Sequence, residues 1–119
     1  MSAATRQNGI AVISTDERID GVVSTLAGTA KQLVSLWADA RDHIEGADPL
    51  DRGGIENVLS RRFGWPARVL GVLDYGLWDI AGKAFNLPVY RLLGATREKV
   101  LAYGSTVHHA KDERFVEIA

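Results

Sequence analysis

Between Pro66 and Phe85 the chain carries apolar residues around most of a helix and yet places three glycines, Gly71, Gly76 and Gly82, inside it. Leu70, Leu73, Leu77, Trp78, Ala81 and Phe85 recur at helical spacing, and Val69, Val72 and Ile80 extend the apolar character to neighbouring faces. A helix with so little polar surface belongs in an interior. Each interior glycine costs about 1 kcal/mol relative to alanine, so the physical reason for three of them is close approach of another element. This segment is therefore the expected centre of the fold, and Pro66 suits its first turn.

What packs on it is expected upstream. Gly9 to Thr15 and Gly21 to Leu26 are β-branched runs separated by the charged stretch DERID, a pattern for two antiparallel strands and a turn. Two strands alone are marginal and need a covering element. From Thr29 to about Glu45, Leu33, Leu36, Trp37, Ala40 and Ile44 form a helical stripe, with Thr29 and Gln32 spaced as a capping box and Gly46 as the C-terminal cap. Asp48-Pro49 is expected to open a second helix whose face holds Ile55, Val58, Leu59 and Phe63, its first turn weakened by Gly53-Gly54. Gly64-Trp65-Pro66 then breaks the pattern.

Downstream, Asn86-Leu87-Pro88 reads as a helix stop. Asparagine tolerates the left-handed cap position, the residue before proline is pushed extended, and Pro88 restarts a short helix, PVYRLL, ended by Gly94. KVLAYGST is then a plausible strand, and Asp112 a cap for a last helix, DERFVEIA. A strand followed by a helix opens a βαβ unit, and the parallel partner strand is absent, so the chain is expected to be a piece of a larger domain.

Composition excludes several classes of function. With 14 basic and 15 acidic residues the net charge is -1, which gives no field to attract nucleic acid or anionic lipid. There is no cysteine, so disulfides and thiolate metal sites are out. No stretch approaches the roughly 20 apolar residues of a membrane span, and the first residues lack an apolar signal core. A cytoplasmic protein is the expectation.

The stretch Gly71 to Ser105, GVLDYGLWDIAGKAFNLPVYRLLGATREKVLAYGS, resembles the mandelate racemase and muconate lactonizing enzyme branch of the enolase superfamily. In that branch a helix of the type ALWDxxGK runs into xLPVYxLLGG and then into the first barrel strand. The matching residues here are Leu77, Trp78, Asp79, Gly82, Lys83, Pro88, Val89, Tyr90, Leu92, Leu93, Gly94, Ala102 and Tyr103. DPLD at Asp48 to Asp51 is similar to the family's helix start. Ala95 stands where the family usually has a second glycine, and the front lacks the family's first strand.

The resemblance implies an α+β fold: part of a capping domain over residues 1–95, with a short β-hairpin and three to four helices, then the first strand and partial helix of a (β/α) barrel over residues 96–119. It also implies a lineage of acid-sugar dehydratases, racemases and cycloisomerases. These hold a divalent metal, usually magnesium, and abstract a proton next to a carboxylate, the metal stabilising the enolate. The ligands and bases of such enzymes project from later barrel strands, and a barrel needs about 250 residues. No catalytic residue and no metal ligand is therefore carried over. The fragment is expected to be inactive alone and to bind no cofactor itself, with Mg2+ belonging to the full-length enzyme.

Two candidates for substrate contact follow from the resemblance. Gly28 sits where a capping-domain loop closes over substrate in the family. His108, with His109, follows the first barrel strand at the end that faces an active site, although without the rest of the barrel it reads as a solvated loop. Adjacent strand residues point to opposite faces, so the histidine pair does not suit a metal. Asp74 and Asp79 are separated by about 140° of helix rotation and do not form a carboxylate pair; Asp79 reads as a structural hydrogen-bond acceptor. Trp37, Trp65 and Trp78 read as core. The rival reading is a small α+β interaction module that covers the apolar surface left by the missing barrel through self-association or a partner.

Overall fold

A computed structural model describes residues 8–101 of the chain. A hairpin of β1 (Asn8–Ser14) and β2 (Asp20–Leu26) leads into α1 (Ala27–Ile44), followed by α2 (Arg52–Asn57), a π-helical turn (Val58–Arg62), α3 (Ala67–Ala84) and the short α4 (Val89–Leu92). The glycine-bearing segment is α3, and it touches every one of the other elements. Val69, Val72, Leu73, Leu77, Ile80 and Ala81 of α3 are buried. Val69, Leu73, Leu77 and Ile80 among them close a core with Ala40 and Ile44 of α1, Ile55 of α2, Leu59 of the π turn and Trp65.

The glycines explain how the hairpin gets so close. A Cβ on Gly76 would fall on Cδ1 of Ile13 in β1, and a Cβ on Gly21 of β2 would fall on the carbonyl oxygen of Gly76. The two glycines thus face each other where β2 crosses α3, and neither position has room for a side chain. Gly82 serves the other end of α3, where a Cβ would press on the carbonyl of Leu87 and on Val89. Gly71 meets nothing within 4 Å, so close packing does not account for it. Burial of α3 is also less complete than its composition predicts, because Tyr75 and Phe85 are 72% and 57% exposed on a side that no described element covers.

The strands pair antiparallel in continuous register from Asn8↔Leu26 to Ser14↔Asp20. At the turn the Thr15 hydroxyl donates to the Ile19 carbonyl (2.9 Å) and accepts from the Ile19 N–H (3.1 Å), while Arg18 takes a positive φ of 63°. Pairing puts Gly9, Ala11, Ile13, Gly21 and Val23 toward the helices. The opposite face carries Ile10, Val12, Val22 and Leu26, all exposed.

Three boundaries differ from the expectation. β2 passes into α1 without an intervening loop, so α1 starts at Ala27, its N-cap is Leu26 with no side-chain cap bond, and Thr29 is buried in the first turn instead of capping it. The second helix does not start at Asp48-Pro49. Asp48 forms a turn, its carboxylate accepting from the Leu50 N–H (2.8 Å), and Asp51 becomes the cap, accepting from the Gly54 N–H (3.0 Å). A Cβ on Gly54 would collide with that carboxylate, which accounts for a glycine that weakens the helix by propensity alone. Finally, the helix passes into a π turn before Gly64, at φ +63°, reverses the chain.

The other stops form as expected. Gly46 follows α1 at φ +83°. Asn86 follows α3 at φ 52°, with Leu87 N–H donating to the Gly82 carbonyl (2.9 Å) and Asn86 N–H to the Lys83 carbonyl (3.2 Å), the paired bonds of a Schellman ending. Gly94, at φ +77°, repeats the motif after α4 with Ala95 N–H on the Tyr90 carbonyl (3.0 Å). Lys99, Val100 and Leu101 lie in no helix or strand. The remainder of the expected barrel strand, and the DERFVEIA helix, lie outside the described residues.

Candidate functional site

Two polar clusters ride on α3, and both are fasteners. Asp79 Oδ2 accepts from Lys83 Nζ (2.7 Å) one helical turn on and from the Val22 backbone N–H of β2 (2.8 Å). Lys83 Nζ also donates to the Asp20 carbonyl (2.6 Å). The Lys83 ammonium, and after it the Val22 N–H, hold the Asp79 carboxyl below the usual carboxylate range. Asp79 is thus the structural acceptor that its place beside Trp78 predicts, and it bolts the hairpin to α3.

The second cluster joins α2 to α3. Arg52 donates to Asp74 Oδ1 (2.8 Å) and lays its guanidinium over the Trp78 ring at 3.7 Å from the centroid, a cation–π contact. Asp74 and Asp79 do not converge, as the helix geometry requires. Trp37 and Trp65 meet edge to face, with centroids 6.5 Å apart, and Trp65 is only 4% exposed. Core material describes Trp65 fully and Trp37 in part.

Among the described residues no group of three or more histidine, aspartate, glutamate or cysteine side chains could hold a metal. Asp79 is already bound to Lys83 and to β2, and Asp74 to Arg52. These residues do not fit a catalytic magnesium. Gly28 lies in the first turn of α1 with open space around it, which corrects its expected place in a loop, because no loop separates β2 from α1. His108 lies outside the described residues. No described helix is long and apolar enough to cross a membrane.

A cleft of about 710 Å³ lies between β1 and α1, floored by Leu73 and Leu77 of α3. Sequence reading did not find it. Nor did it find the Arg52 bridge, whose partners are 22 positions apart; the i,i+4 spacing of Asp79 and Lys83 is the one local signal in either cluster.

The likeness to known proteins covers most of the chain. The chain is 37% identical over 98 residues to the D-galactonate dehydratase of Pectobacterium atrosepticum, a match spanning 76% of this chain and 26% of that protein. The chain belongs to the enolase superfamily. A D-galactonate dehydratase family member of Marinomonas sp. is 37% identical over 100 residues, and another, of Cellvibrio japonicus, is 35% identical over 99 residues. This superfamily segment spans about a quarter of the length of the curated relatives it matches. No protein-family model and no solved structure matches it.

Proposed function

We propose that this chain supplies the scaffold of a capping domain, over residues 1–95, and the start of a barrel, over residues 96–119, to a magnesium-dependent enzyme that abstracts the proton next to the carboxylate of an acid sugar. The names of the relatives favour dehydration over racemisation or cycloisomerisation. The observation that carries the reading is a match to dehydratases over most of the chain, combined with polar residues that fasten helices and strands to one another. Each of these aspartates already holds a basic partner, and the two do not converge on a common point where a substrate or metal could sit. A cytoplasmic location belongs to the same reading.

A second reading is favoured by exposed Phe85, Leu87, Tyr90 and Leu93 at the α3–α4 end. Exposed apolar patches promote association, and an interaction module would self-associate or bind a partner through this end. Incubating the 119-residue chain with magnesium and D-galactonate in deuterated water separates the two questions. The enzyme-scaffold reading expects no deuterium at the carbon beside the carboxylate. Magnesium-dependent exchange by the chain alone would overturn it, and sedimentation of the same sample as a dimer supports the second reading.

A further inference from the structure

Two steps in the chain place a glycine after a residue whose side-chain carbonyl is one methylene from the backbone, Asn8-Gly9 and Asp20-Gly21. A glycine nitrogen has no side chain beside it to block approach, so in either step it can reach that carbonyl carbon and close a five-membered imide. The carboxamide is the better partner, because ammonia can leave it near neutral pH whereas a carboxylate resists attack. Register sets the two steps at opposite ends of the hairpin, with Asn8 opposite Leu26 and Asp20 opposite Ser14.

Ring closure requires the residue before the glycine to leave the extended conformation, and the two ends resist this differently. Lys83 Nζ holds the Asp20 carbonyl (2.6 Å), and Gly21 sits at the crossing where a Cβ would fall on the Gly76 carbonyl. Opening there breaks the joint between β2 and α3. Asn8 lies where the ladder with β2 has to stop, whatever precedes it in the chain: Leu26 is the last residue of β2 and α1 begins at Ala27. The end of a ladder opens at far smaller free-energy cost than its packed interior.

We propose that Asn8 is a self-modification site, deamidated through a cyclic imide with the Gly9 nitrogen, and that its isoaspartyl product releases β1 from the start of α1. The Gly9 nitrogen, its proton taken by hydroxide, bonds to Asn8 Cγ; the Cγ–Nδ2 bond breaks and ammonia leaves with a proton from water. Water then opens the imide at either carbonyl, giving aspartate or isoaspartate. Both carry a new carboxylate opposite Leu26, the N-cap of a helix with no acidic residue in its first turn and no side-chain cap, where negative charge is favourable. They differ in the backbone. The isoaspartyl form adds a methylene to the chain just before Gly9, and Gly9 has no spare room, since a Cβ there would fall on Cβ of Ala30 in α1. The aspartyl form leaves that contact in place. The inference is independent of the enzyme-scaffold reading.

The test holds the full 119-residue chain in mildly alkaline buffer, folded and in urea, and follows its tryptic peptides by mass spectrometry. In the peptide of residues 7–18, bounded by Arg6 and Arg18, Asn8 is expected to gain one mass unit in the folded chain within about tenfold of its rate in urea, because only a ladder end must open. Asp20, read as isoaspartate in the peptide of residues 19–31, is expected to be slowed by folding about a hundredfold or more. Asn8→Gln is expected to abolish the gain, since its ring would be six-membered. In the separated isoaspartyl chain, protected amides within residues 10–13 and 31–34 are expected to exchange at least about tenfold faster than in the Asn8→Asp variant, which carries the charge without the added methylene. Folding that slows Asn8 as strongly as Asp20, a gain that persists in Asn8→Gln, or equal exchange in the isoaspartyl chain and Asn8→Asp overturns the proposal.

Discussion

Gly21 and Gly76 occupy the crossing of β2 over α3, and what a methyl group would meet there differs between them. On Gly21 it would strike a backbone carbonyl, which cannot move without shifting α3; on Gly76 it would strike Cδ1 of Ile13, the far end of a side chain that can turn. Gly71, in the same helix, faces open space. Gly21→Ala is therefore expected to destabilise by about 1–3 kcal/mol through overpacking and Gly76→Ala by less. Gly71→Ala is expected to stabilise by about 0.5–1 kcal/mol through helix propensity and a less mobile unfolded chain. Urea midpoints of the three variants check the order, and a Gly21→Ala variant as stable as the parent would contradict the crossing. The spacing of the glycines in an apolar helix was enough to predict close packing, but not which of them packs, because that depends on where the strands cross.

At the scale of elements, local signals decided the ends of helices better than their beginnings. Gly46, Asn86 and Gly94 all adopt the left-handed conformation that ends a helix, and that requirement is written in the residue type itself. The starts at Thr29 and Asp48 shifted because a neighbour changed the competition: β2 runs straight into α1, and the turn at Asp48 hands the cap to Asp51. The Asn86 stop offers a direct check, since α3 and α4 are joined through it. Asn86→Ala is expected to cost about 1 kcal/mol, because alanine pays more for φ near 52°, whereas Asn86→Gly is expected to cost little. Equal losses in thermal unfolding would mean that the asparagine side chain, and not its backbone conformation, holds the junction. The cleft had no such local signature. It arises from β1, a helix stripe and α3 meeting in space, which spacing alone does not announce.

At the scale of the whole molecule, the described residues amount to a hairpin and a helix set gathered on α3, joined by the Arg52–Asp74 ion pair and by the hydrogen bonds of Asp79 and Lys83 to β2. Family membership was legible from Leu77 to Tyr103, and the described part of that stretch holds joints of the fold: Asp79 and Lys83 hold the hairpin, Gly82 admits Leu87 and Val89, and Gly94 ends α4. No substrate was legible, since none of these joints is directed at a ligand. The central claim is that the segment gives shape and no catalytic group. It is tested most directly by exchanging the matched 98 residues of the Pectobacterium atrosepticum D-galactonate dehydratase for those of this chain and measuring dehydration of D-galactonate. A folded hybrid that retains magnesium-dependent turnover is the predicted result. A folded hybrid that still binds magnesium but has lost turnover would contradict the claim.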